Sequence, residues 1–227
     1  MIYSEKYNFI FLHNPRTAGT SIQSVLKQLD SGCMHSTDQE QDIEHAGCRW
    51  AKELFGDHIW NNSFKFCFVR NPYSWFLSSF QRDLSWYQPK IEYSILVTEN
   101  KQIAVPIDGI VKKTHVILIE SMRQFYWQQW NKGFDNGFER DDAFFDSFIN
   151  QSNWATDEMD FIGRFESLQS DFNYVCDEIG LERTILPHLN EDEWDQRSMI
   201  DLKYSESAKK MVGILYEEDI VKFGYER

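Results

Sequence analysis

The sequence is poor in the residues that divide a chain. Only 5 prolines and 11 glycines occur among 227 residues, and nowhere do they gather into a linker. There is no internal repeat and no low-complexity tract, so a single domain over residues 1–227 is expected. No apolar run approaches the ~20 residues that cross a bilayer. The start, Met1-Ile-Tyr-Ser-Glu-Lys6, lacks both the basic opening and the apolar stretch of a secretory leader. These absences predict a soluble protein with no membrane contact. Cysteine is scarce as well: Cys33, Cys48, Cys67 and Cys176 form no C-x-x-C pair, which argues against a zinc site, and no metal is expected. Cys67 stands in an apolar run and reads as a small buried hydrophobe, which suits a reducing compartment. Basic residues are outnumbered, 23 Lys+Arg against 36 Asp+Glu, for a net charge of −13. Such a surface is unsuited to nonspecific binding of nucleic acid or anionic membranes.

The acidity is not spread evenly. Residues 1–90 hold 9 basic and 9 acidic side chains, residues 91–227 hold 14 and 27, so an anionic ligand has its best prospects in the neutral N-terminal part. Hydrophobic residues make up 42% of the chain and aromatic residues 16%, enough for a ring-packed interior or a ring-lined cleft. Asn8-Phe-Ile-Phe-Leu-His13 is a short continuous apolar run, the pattern of a buried parallel strand. The loop Asn14-Pro-Arg-Thr-Ala-Gly-Thr-Ser21 follows, and then Ile22, Val25, Leu26 and Leu29 at helical spacing. Phe64-Lys-Phe-Cys-Phe-Val69 repeats the theme, ending in Arg70-Asn71-Pro72, where Asn71 suits a helix cap and Pro72 the first helical position. Val116–Ile119 and Phe161–Phe165 read as further strands. A helix through Leu168, Phe172, Val175, Cys176 and Ile179 closes at Gly180, and a last helix is expected from Ser205 to about Tyr216. Residues 93–113 suit a hairpin or excursion, and 120–150 a helical region. Alternating strands and helices predict an α/β domain with a mostly parallel sheet flanked by helices; ligands of such sheets sit at the carboxyl ends of strands.

Two strand ends therefore share one edge, the first with Arg16, Thr17, Thr20 and Ser21, the second with Arg70. Gly19 permits close backbone approach, and the amides opening the following helix form an anion cradle. The plain alternative is a capped helix after a turn, with Arg16 solvated. The loop is not a G-x-x-x-x-G-K-[ST] phosphate loop, because Asn14 holds the first-glycine position and the Gly-Lys pair is missing. A nucleotide kinase is thereby disfavoured. Ser78 lies seven residues beyond Asn71, which at ~100° per residue returns it to nearly the same helical face. From there it can share a phosphate with the Arg70 fork; Arg70-Asn-Pro as a structural turn is the simpler alternative. Taken together, the two elements suit a ligand with two separated phosphates. Trp75, Trp86, Tyr87, Trp127 and Trp130 suggest either a sugar-stacking surface or ordinary core.

Phe9-Ile-Phe-Leu-His-Asn-Pro-Arg-Thr-Ala-Gly-Thr-Ser21 resembles the 5′-phosphosulfate loop of carbohydrate-type, PAPS-dependent sulfotransferases. Phe66-Cys-Phe-Val-Arg-Asn-Pro-Tyr73 with Ser78 and Phe80 resembles their 3′-phosphate motif. Phe161-Ile-Gly-Arg-Phe-Glu-Ser-Leu168, Leu186-Pro-His-Leu-Asn190 and Tyr216-Glu-Glu-Asp219 with Phe223-Gly-Tyr225 are similar to later blocks, all in family order. Within that family the sequence resembles the group of the heparan/dermatan 2-O- and chondroitin sulfotransferases. The resemblance implies a P-loop-NTPase-like sulfotransferase fold and transfer of a sulfuryl group from PAPS (3′-phosphoadenosine 5′-phosphosulfate) to an acceptor hydroxyl. It assigns Arg16 to charge stabilisation on the bridging oxygen. Thr17, Ala18, Gly19, Thr20 and Ser21 fall to the 5′-phosphate, Arg70 and Ser78 to the 3′-phosphate. A histidine base is implied too, and His45, in a segment similar to the family's Lys-His region, is the choice; His35 is weaker. His13 is expected to pack or orient the loop, and His188 to serve a turn.

Three departures stand out. Arg16 replaces the family's lysine, keeping the charge but unable to release a proton. Ala18 replaces the first glycine of a pair, which is acceptable only if that position does not need φ > 0. Glu191-Asp192-Glu193 replaces a Lys-Ser continuation and would repel the 3′-phosphate unless it turns outward, with Arg197 then helping. These departures motivate the alternative of a catalytically inactive nucleotide-binding protein. The acidic C-terminal part favours a neutral glycan or small hydroxylated acceptor. Animal relatives are Golgi proteins with an N-terminal anchor; this sequence shows none, so a cytoplasmic setting is expected.

Overall fold

The computed structural model describes residues 1–30, 32, 34–35, 47–87, 93–98, 101–106, 116–118, 150–189, 202–204 and 206–226. The chain forms two compact units, one from residues 1–71, 149–190 and 218–226, the other from 72–148, 191–217 and 227.

The first unit is built on a five-stranded sheet. Its strands are β1 (Ile2–Ser4), β2 (Phe9–Leu12), β3 (Met34–His35), β4 (Phe64–Val69) and β8 (Phe161–Arg164), in the order β3-β1-β2-β4-β8. β2, β4 and β8 run parallel, in register Leu12↔Cys67 and Val69↔Arg164. β1 is antiparallel to both β2 and β3, so four of the five strands point one way and the fold is α/β and mostly parallel, as expected. The short β1 and β3 went unread, because three and two residues carry too little pattern to distinguish a strand from a loop.

Both faces of the sheet are covered, which is why β2 and β4 read as unbroken apolar runs. Phe9, Phe11, Phe66 and Phe68 meet Ile22, Val25 and Leu26 of helix α1 (Gly19–Leu29) and Phe172, Val175 and Cys176 of helix α4 (Leu168–Ile179). Ile10, Leu12, Cys67 and Val69 meet Ala51 and Trp60 of helix α2 (Cys48–Asn62), together with Trp154 and Phe223. Period-two alternation thus sends each strand's side chains into two cores, and each buried phenylalanine contributes about 1.5–3 kcal/mol. Burial also pushes the Cys67 thiol up, keeping it a neutral hydrophobe. Gly180 ends α4 at φ 71°, with Leu181 N–H bonded to Cys176 O at 2.8 Å, the left-handed closure expected of glycine there.

In the second unit, helix α3 (Pro72–Tyr87) starts at the expected proline. β5 (Tyr93–Thr98) and β6 (Lys101–Pro106) form an antiparallel hairpin, and β7 (Val116–Leu118) pairs in parallel with β9 (Leu202–Tyr204). Helix α5 (Glu206–Leu215) packs against α3. The Trp75 ring is fully buried, edge-on to Tyr216 at 5.6 Å, so it is core and unavailable for stacking on a sugar. The expected last helix does not end the chain: helix α6 (Glu217–Phe223) comes next in sequence, and from residue 218 on it belongs to the first unit. The region read as helical over 120–150 lies outside the described residues, save its final position.

Candidate active site

Because β2, β4 and β8 are parallel, their carboxyl ends open on one edge, and three short segments meet there. The first is the loop from β2 to α1. His13 and Asn14 are buried, and the imidazole of His13 lies over Gly19 so closely that a Cβ there would stand 1.8 Å from the ring. Glycine at 19 is therefore required by a neighbouring side chain, and His13 shapes the loop as expected. The Thr17 hydroxyl is fully buried and donates to Asn14 O at 2.7 Å, so this side chain closes the turn. Arg16 and Ala18 both take left-handed backbone, φ 60° and 65°. The condition set on Ala18 fails: the position does adopt positive φ, with alanine in place of glycine. Left-handed residues of this kind cost about 1–3 kcal/mol and gather at functional sites. Ala18 gives α1 no side-chain cap, and its first turn holds no acidic residue, so neither its cap nor its first turn opposes the positive end of the helix dipole. Thr20 is exposed, while the buried Ser21 Oγ accepts Leu189 N–H at 3.3 Å. Leu189 thereby reaches the first turn of α1.

The second segment is the end of β4. The Arg70 guanidinium lies 4.2 Å from the centre of the Phe165 ring, a cation–π contact, and Arg70 Nη1 donates to Arg16 O at 3.3 Å. The two arginines singled out in the sequence are thus brought together. Asn71 N–H donates to Glu166 Oε1 at 2.7 Å, and Tyr225 Oη donates to Glu166 Oε2 at 3.0 Å. Burial and the Glu166 carboxylate push the Tyr225 phenol up, so it stays a donor. Arg164 stacks on Tyr225 and donates to Phe223 O. Phe165 and Glu166, at the end of β8, form the third segment.

Sequence reasoning missed Gln151. Fully buried in the single turn Gln151–Asn153, its amide Oε1 accepts Arg70 N–H at 2.9 Å and Asn14 Nδ2 at 3.1 Å, while Nε2 donates to Arg70 O at 2.8 Å. Asn14 Nδ2 also donates to Phe68 O at 2.9 Å. Asp219, fully buried, accepts Gln151 N–H at 2.8 Å and Ser152 N–H at 3.1 Å. An acid in the closing block was a visible signal; nothing in the sequence marked Gln151. Ser78 is buried in α3, in the second unit. His45, Arg197 and Glu191–Glu193 lie outside the described residues. Among the described residues, no group of three or more His, Cys, Asp or Glu side chains could hold a metal ion.

A family model described as "Sulfotransferase family" matches residues 1–226. The chain is 26% identical over 187 residues to carbohydrate sulfotransferase 14 of Danio rerio, an alignment covering 79% of this chain and 48% of that protein. The chain thus spans about half the length of the curated relative it matches. No solved structure matches. The cytoplasmic expectation is overturned by this relative: carbohydrate sulfotransferases of its kind are Golgi-anchored membrane proteins. The expectation rested on a missing anchor, and a chain matching half of a relative carries no information on what precedes it. Among the described residues, no helix is long and apolar enough to cross a membrane.

Proposed function

The chain belongs to the sulfotransferase family, and from that premise we propose that it moves a sulfuryl group from PAPS to a hydroxyl of a carbohydrate or small hydroxylated acceptor. The observation that carries this reading is the meeting of Arg16 and Arg70 at adjacent parallel strand ends, beside a helix start with no side-chain cap. The 5′-phosphosulfate lies against the loop from Arg16 to Ser21, held by backbone amides and the helix dipole, with Thr20 the exposed hydroxyl. The 3′-phosphate falls to Arg70. Ser78 joins it on its helical spacing from Asn71 and on the family resemblance, and Arg197 on the outward turn expected of Glu191–Glu193. The acceptor oxygen attacks sulfur in line as the bond from sulfur to the bridging oxygen breaks, and that electron pair leaves on adenosine 3′,5′-bisphosphate. Arg16 stabilises the leaving charge, and His45 takes the proton of the acceptor hydroxyl.

Calorimetric titration with adenosine 3′,5′-bisphosphate, with 5′-AMP as control, tests the donor site. Arg70→Ala is expected to weaken bisphosphate binding by about 1.5–3 kcal/mol and leave 5′-AMP nearly unchanged. Equal losses for both ligands would sink the assignment. With labelled PAPS and an acceptor panel, His45→Ala is expected to lower turnover ~10²–10⁴-fold at unchanged donor affinity; unchanged turnover moves the base elsewhere. A second reading, nucleotide binding without transfer, draws on the left-handed Arg16 and Ala18 in a loop that departs from the family pattern. Tight bisphosphate binding without turnover on any acceptor would favour it.

A further inference from the structure

We propose that Gln151 is a positioning residue that holds the two anion-binding strand ends in one register, with Asp219 anchoring it from behind. The pairing of the sheet explains the need. β4 ends at Val69, and the last β2–β4 pair is Leu12↔Cys67, so Arg70 and the loop from Asn14 to Ala18, which leads into the proposed ligand segment, stand beyond the ladder. Backbone groups there have lost the partners that fix peptide planes within a sheet.

Gln151 supplies what another strand would supply. One side-chain amide accepts the N–H of Arg70 and donates to its C=O, fixing the peptide planes on both sides of the Arg70 Cα and hence the direction in which the guanidinium leaves the chain. The same Oε1 accepts the Asn14 side chain, two residues before Arg16, while Asn14 reaches back to Phe68 O. A single buried group thus touches both loops. Its chemistry is specific: a glutamate of the same size keeps both acceptor contacts but, when ionised, sets an oxygen against Arg70 O, and methionine keeps the length with neither group. Gln151 itself is fixed by its own N–H and that of Ser152, both received by Asp219. An asparagine at 219 offers one acceptor to those two donors.

The test compares wild type with Gln151→Glu, Gln151→Met and Asp219→Asn, each checked for folding by circular dichroism and thermal melting. Amide hydrogen exchange is followed in segments 13–19 and 69–72, with strand segments 9–12 and 64–68 as internal references, and affinities for adenosine 3′,5′-bisphosphate and 5′-AMP are measured alongside. The expected result is faster exchange in both loop segments together, with reference segments unchanged. Preference for the bisphosphate over 5′-AMP is expected to fall by about tenfold, equivalent to one lost buried hydrogen bond. Exchange that rises in one loop only, or in neither, overturns the inference, as does an unchanged preference in folded variants. Should Gln151→Met fail to fold, Gln151→Glu and Asp219→Asn decide it. Only the nucleotide measurement rests on the sulfotransfer reading. If wild type binds neither nucleotide, that reading fails while hydrogen exchange still decides whether Gln151 couples the loops.

Discussion

At the scale of single residues, the loop from β2 to α1 departs from what its side chains would choose. Ala18 stands at φ 65° and ψ 21°, where a Cβ crowds the backbone and glycine meets no such penalty. Ala18→Gly is therefore expected to raise stability by about 1 kcal/mol, or about 2–4 °C in melting temperature for a chain of this size. A lower melting temperature would mean that the left-handed backbone is not held in solution. The reverse change at the next position has a different cause: Gly19→Ala drives a methyl into the His13 ring, already stacked on Phe11 at 6.2 Å. Glycine was legible in the sequence as a site of close approach, but the approaching group was not, since residue 13 meets residue 19 only once the loop has turned. Thr17 and Thr20 show the same limit. Sequence makes them equivalent hydroxyls; the turn buries one on Asn14 and leaves the other exposed.

The elements that the sequence displayed best are those with both faces buried or with strong punctuation: β2, β4, and α4 with its glycine stop. What it hid are contacts of long sequence separation, such as Phe165 beneath Arg70, or the turn at 151 lodged against α6. Helix α6 has no counterpart in the sequence reading: the expected last helix stops at about Tyr216, where α5 and α6 part, and the seven residues beyond are too few to display a helical period. That helix carries Asp219, whose carboxyl is pushed up by burial and by the neighbouring Glu218, against the opposing pull of the Gln151 and Ser152 amides. A folded-state value above the unfolded one means that the contribution of Asp219 to stability is complete below the unfolded carboxylate range and is lost as pH rises through the folded value. The stability advantage of wild type over Asp219→Asn is thus expected to shrink as pH rises above the ordinary carboxylate range, from about pH 4 upward, read as the difference in urea midpoints. A widening gap would show that the amides outweigh the burial.

For the molecule as a whole, under the sulfotransfer function proposed above, the distribution of charge constrains the acceptor more than the donor. Arg16 and Arg70 lie in the half of the sequence whose charges balance, while residues 91–227 carry the entire excess of 13 negative charges. A doubly phosphorylated donor can be held by local forks and helix amides despite that field. A long polyanionic acceptor must approach across more of the surface and feels the sum. Turnover on a heavily sulfated glycan, at saturating donor, is therefore expected to rise in kcat/KM as salt increases from about 0.02 to 0.2 M, because the screening length shortens to about 7 Å. Turnover on a neutral oligosaccharide should stay flat over the same range. A fall with salt on the sulfated acceptor would reveal a local basic track for it and remove the preference for neutral acceptors argued from charge.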